Sequence, residues 1–93
     1  MDNKLIDRIF TNLHIDNPKI TREQVVHCYI RKKIIEYLPT PKPLIECNMY
    51  SIGVETEEFF TVWREMRKQG ELIFTEGGKN FQPIMVSLKE GVQ

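Results

Sequence analysis

The sequence has no surplus of charge: thirteen lysines and arginines balance thirteen aspartates and glutamates. A strongly basic chain would announce a polyanion partner, and this balance does not. It leaves such a partner open, since the distribution of charge over the surface decides. Only a local cationic patch could serve such a partner. Long apolar runs are missing too. None approaches the roughly 20 residues needed to cross a bilayer. The opening stretch, MDNKLIDRIF, carries acidic groups and no apolar signal core. A cytoplasmic protein with no membrane partner is therefore expected.

Cysteine and histidine are scarce, with two of each: Cys28, Cys47, His14 and His27. Neither Cys-x-x-Cys nor His-x-x-x-His spacing occurs, so no metal site is expected. The two thiols read as small buried side chains in a reducing compartment. Spacing alone leaves a disulfide between them open. The stretch EGGKN lacks the spacing of a phosphate-binding loop, and no nucleophile stands paired with a base. The chain is expected to be no enzyme, with no catalytic residues and no cofactor.

The 93 residues suit one small domain, 1–93. A hydrophobic share of 41% supports a core, and 28% charged residues give a solvated surface, which together exclude intrinsic disorder. In NKLIDRIFTNL, residues Leu5, Ile6, Ile9, Phe10 and Leu13 recur at helical spacing, predicting an amphipathic helix over 3–13 capped by Asp2 or Asn3. The segment HIDNPKI breaks that helix, with Pro18 as its punctuation. In ITREQV, Thr21 and Gln24 have the capping-box spacing, and Ile20 and Val25 stand at the staple positions. A helix is expected from Arg22 to Tyr37 or Leu38, ended by PTPKP. Val26, Ile30, Ile34, Tyr37 and Leu38 line one side of it, and Val25, Cys28, Tyr29 and Ile35 the other. A helix apolar nearly all round should lie centrally. Arg31, Lys32 and Lys33 are consecutive, so each points about 100° from the next. They read as solvated charges bordering a buried helix.

Pro43 suits the first turn of a short helix over Leu44–Tyr50, with a turn at Ser51, Ile52 and Gly53. The next helix spans Thr56 to Gln69, stopped by Gly70, with Phe59, Val62, Trp63 and Met66 facing inward. Trp63 is expected to be buried near Val26 or Ile30. ELIFTE, GGKN and FQPIMVSL then read as strand, turn and strand, with Ile84, Val86 and Leu88 on one face. Pro83 belongs at an edge or hairpin tip, since it cannot donate to a ladder.

This order of elements, from Thr21 to Leu88, resembles the winged helix-turn-helix superfamily. The residues carrying the resemblance are Ile45, Met49, Ile52, Gly53 and Val54 around the turn, and Phe59 and Val62 in the last helix. MRKQGELIFTE is similar to the end of a recognition helix entering a wing. The fold implied is α+β, mainly α: a winged-helix core over 21–88, an added amphipathic helix over 3–13, and a β-hairpin wing turning at Gly77–Asn80.

In that superfamily the exposed face of the last helix enters the major groove and the wing touches the backbone. Carried onto this chain, the outward positions are Glu57, Thr61, Arg64 and Lys68, with Phe60 and Arg67 on the border and Lys79 and Asn80 at the wing tip. The helix opens with Glu55, Glu57 and Glu58, which complement the helix dipole but repel phosphates. Glu57 could accept from cytosine N4. Backbone contacts are expected from the second half of the helix. Phe60 beside Arg64 and Arg67, with Phe81 near the wing tip, also has the chemistry of single-strand binding. The same rings equally suit a core edge or a dimer contact.

Two functions are compatible with these residues. The first is a small DNA-binding protein, a transcriptional regulator or replication accessory, acting on duplex or single-stranded DNA through Phe60, Thr61, Arg64, Arg67, Lys68, Lys79 and Asn80. A homodimer through the first helix or an open strand edge would fit it. The second is an adaptor that binds a protein partner with the same scaffold.

Overall fold

The structure, a computed structural model, describes residues 2–75 and 84–92. Asp2 starts the first helix, α1 (Asn3–Asp16), its carboxylate accepting from the amides of Lys4 and Leu5 at 3.0 and 3.2 Å. The helix runs three residues past the predicted end at Leu13. Its last turn carries Leu13 and Ile15 out into solvent, beyond the core that ends the apolar stripe.

The second helix, α2 (Arg22–Tyr37), begins with the capping box read from the sequence. The Gln24 amide donates to Thr21 Oγ1 at 3.1 Å, and Gln24 Oε1 accepts from the Thr21 amide at 2.9 Å. Ile20, just outside the helix, packs against the core beside buried Val25. Removing the hydroxyl orphans an amide in the first turn, so Thr21→Ala is expected to cost about 0.5–2 kcal/mol in urea unfolding. An unchanged midpoint would show that the cap contributes nothing.

Val25, Val26, Ile30 and Ile34 of α2 are buried, and the helix packs against three others, as its two-sided apolar pattern requires. These are α1, α3 (Lys42–Ser51) and α4 (Thr56–Lys68). α3 carries Pro43 in its first turn and buries Ile45 and Met49. Gly53 comes just after it with φ of 81°, the left-handed turn geometry that favours glycine. α4 buries the expected stripe of Phe59, Val62, Trp63 and Met66. It ends in a Schellman arrangement: Gly70, at φ of 70°, donates to the Arg67 carbonyl, and Glu71 donates to that of Met66, both at 3.0 Å.

Three short strands complete the described chain: β1 (Thr40–Pro41), β2 (Leu72–Thr75) and β3 (Met85–Leu88). They form an antiparallel sheet in the order β1-β3-β2. The sequence predicts a two-stranded hairpin, and β1 corrects that reading. The PTPKP segment does end α2, but two of its residues then pair with β3, Thr40 opposite Val86 and Pro41 opposite Met85. Proline is tolerated there because β1 is an edge. On the other side of β3, Leu72 faces Leu88 and Phe74 faces Val86, so Val86 sits between two strands and is fully buried.

The architecture is thus α+β, mainly α. One hydrophobic cluster joins Ile6 of α1, the buried residues of α2, α3 and α4, and Leu72 and Val86 of the sheet. The expectation of buried thiols is wrong: Cys28 and Cys47 are both exposed and unbridged. Cys47 lies two positions from Ile45 and so on the opposite side of α3. Cys28 lines the recess between α1 and α2 and is not covered by either. The turn expected at Gly77–Asn80, with Lys79, Asn80, Phe81 and Pro83, lies outside the described residues.

Candidate nucleic-acid interface

α4 presents its outward face because its inward one is consumed by the core. Its amphipathic spacing leaves Glu57, Phe60, Thr61, Arg64, Glu65, Arg67 and Lys68 exposed. The charges on it are arranged along and around the axis. Glu57 and Glu58 fall in the first turn, Arg67 and Lys68 in the last, each complementing the local end of the dipole. Around the axis, at about 100° per residue, Glu58 and Glu65 share one flank while Phe60, Arg64 and Arg67 share the other. The first flank faces α2, where Glu65, Thr61 and Gln69 border a cavity of about 270 Å³ with His27, Arg31 and Glu71. On the second, Arg67 lies over Phe74 of β2.

This arrangement separates the residues named from the sequence. Phe60, Arg64, Arg67 and Lys68 lie together on the exposed side. Thr61 is also exposed and shares the row of Lys68, at the border with α2; it lines the cavity on that side, and its hydroxyl donates to the Glu57 carbonyl at 2.9 Å. Glu58 is half-buried, with one carboxylate oxygen enclosed and without a hydrogen-bond partner among the described residues. The helix start therefore exposes fewer acids than its sequence suggests. Lys79 and Asn80 lie outside the described residues.

Three of the four cations of α2 are engaged within the chain, and Lys32 is exposed. Arg22 meets Asp7 at 3.1 Å, Arg31 meets Glu71 at 3.0 Å, and Lys33 meets Glu36 at 3.2 Å. The hydrogen bond to Glu36, reinforced by the charge of that carboxylate, raises Lys33 above the ordinary lysine pKa. Arg64, Arg67 and Lys68 make no such pair among the described residues. Arg67 instead lies over the ring of Phe74, 5.2 Å from its centroid.

Phe74 is a residue that the sequence reading missed as part of this surface. Alternation places it on the same face as Leu72, which is buried, yet Phe74 is 37% exposed because β2 is an edge strand. Its ring stands perpendicular to that of Trp63, with centroids 6.0 Å apart, and Arg67 lies over its face. The available signal was the spacing of Trp63 and Arg67, one turn apart on the flank of the helix that leads into the strand.

No family model, no curated protein and no solved structure matches the chain.

Proposed function

We propose that the chain is a winged helix-turn-helix protein that binds DNA, mainly through the phosphate backbone, as a transcriptional regulator or replication accessory. The observation that carries this reading is the set of three cations on α4, Arg64, Arg67 and Lys68. They are exposed and hold no carboxylate among the described residues. Arg64 and Arg67 lie away from the flank of Glu58 and Glu65, while Lys68 stands one turn from Glu65 and Glu57 shares the row of Arg64 and Lys68. The order of elements and the central position of β3 between β1 and β2 support the winged-helix part. Nothing on α4 fixes a base-reading geometry, so contacts with phosphate dominate.

The test is the salt dependence of binding. Each phosphate contact contributes about 0.9 to the slope of log affinity against log salt for duplex and about 0.7 for single strand. Arg64→Ala combined with Lys68→Ala is expected to weaken binding to all sequences about equally and to flatten that slope. A double variant indistinguishable from its parent at every salt concentration would place the contact elsewhere.

A second reading, a protein-binding adaptor, is favoured by α3. Its outward side exposes Leu44 at 49% and Tyr50 at 78%, with Cys47 between them. Such a strip suits a protein partner better than a phosphate chain. Absence of binding to any nucleic acid at low salt would favour this adaptor reading.

A further inference from the structure

Phe60, Arg64 and Arg67 have the i, i+4, i+7 spacing and so form one row along α4. Behind the row runs a continuous chain of rings. Phe60 meets Phe59 at 5.1 Å, Phe59 stacks on Trp63 at 5.7 Å, and Trp63 meets Phe74 at right angles with centroids 6.0 Å apart. The inner two rings are buried in the core, whereas Phe60 is 38% and Phe74 37% exposed. The two outer rings are therefore held by the core while presenting surface to solvent. The guanidinium of Arg67 covers Phe74 and extends that flat surface outward.

A duplex hides the faces of its bases in the stack and offers their edges, which are read by polar hydrogen-bonding side chains. Phenylalanine rings and a guanidinium plane match base faces, which only an unpaired strand presents. The charges agree with this. A strand running along the row meets Arg64 and Arg67, with Lys68 one turn beyond Arg64; Glu58 and Glu65 lie across the helix from Phe60 and Arg67, with Lys68 between the two sides. Glu57 is the carboxylate that borders the row, at its N-terminal end.

Resting on the nucleic-acid reading of this same surface, we propose that its ligand is single-stranded DNA. One base stacks on Phe60 and a neighbouring base on the Arg67–Phe74 pair, with phosphates held by Arg64 and Lys68. Deoxyribose is the sugar of the DNA reading on which this proposal rests, and the 2′-hydroxyl is the group by which the test tells the two nucleic acids apart. The exposed row consists of rings and guanidinium groups suited to base faces and phosphates.

The experiment measures fluorescence anisotropy of labelled oligothymidylate of about 16 nucleotides. The same assay is run with oligouridylate of equal length and with a hairpin duplex, all at about 50 mM salt. The parent is expected to bind single-stranded DNA more tightly than duplex. Phe60→Leu, which keeps apolar bulk and removes the ring, should lower that affinity about 5- to 150-fold and leave duplex affinity within about twofold. Phe60→Tyr, which keeps the ring, should retain the affinity. Thermal melting of Phe60→Leu establishes that the variant is folded. Tighter binding of duplex, or indifference to Phe60→Leu, overturns the single-strand assignment. If the Arg64→Ala, Lys68→Ala protein still loses salt slope in that case, the nucleic-acid reading itself stands. Tighter binding of RNA overturns the choice of sugar. Failure of the parent to bind any of the three overturns both readings together.

Discussion

Trp63→Ala is expected to destabilise the protein by about 3–5 kcal/mol. Trp63 is 6% exposed, stacks on Phe59 and packs perpendicular to Phe74, so truncation removes a large apolar group and leaves a cavity lined by rings. Native domains are stable by only about 5–15 kcal/mol, so the loss takes a large fraction of the total. In a chain of this size it corresponds to a fall in melting temperature of roughly 12–40 °C. Trp63→Phe preserves the stack and should cost less. Trp63 is the sole tryptophan, so its own emission reports the native burial. A native spectrum typical of a solvated indole, or a melting temperature of Trp63→Ala within about 4 °C of the parent's, would contradict this placement.

The same residue shows why parts of the fold were legible in the sequence. The stripe Phe59, Val62, Trp63, Met66 is periodic over more than two turns, and only a helix buries all four at once. The capping box of α2 is equally local: Thr21, Gln24, Ile20 and Val25 meet within one turn. β1 was not legible. Two residues have no period, and Thr40 and Pro41 extend only because β3, some 45 positions later, supplies partners at Val86 and Met85. The thiols failed for a related reason. Cys28 is apolar by composition and stands among apolar neighbours on α2, but its burial depends on how far α1 covers that side.

The candidate site divides along the same line. Helical spacing grouped Phe60, Arg64 and Arg67, and the structure retains them on one flank. Thr61 was grouped with them by its outward angle. It stays exposed, but the neighbouring α2 makes it the border between that face and a cavity, and only the tertiary arrangement reveals the cavity. Phe74 entered for the opposite reason, since its exposure comes from the sheet order β1-β3-β2, which leaves β2 open on one side.

Deleting residues 1–15 is expected to remove most of the cooperative unfolding transition. The first helix reads in sequence as an addition to the winged-helix core whose apolar stripe needs a partner, and its Ile6 is fully buried in the same cluster as Ile30 and Ile34. Ile9 and Phe10 pack against that cluster from its edge. Each fully buried side chain of this size contributes about 1.5–3 kcal/mol. Arg22 would also lose Asp7 at 3.1 Å and Asn3 at 3.2 Å, although this exposed pair adds little. The uncovered flank of α2, with Val25 and Tyr29, would then face water. Because α1 already packs on α2 of its own chain, the deletion should act through stability rather than through dissociation of a dimer. Ile6→Ala isolates the contact without shortening the chain and is expected to cost about 2–5 kcal/mol. Circular dichroism melts of both variants, with light scattering on the parent, separate the two cases. A deletion variant that melts at the parent's temperature would show that residues 22–92 fold without α1. A parent that scatters as a dimer and a deletion variant that scatters as a folded monomer would move the role of α1 to assembly.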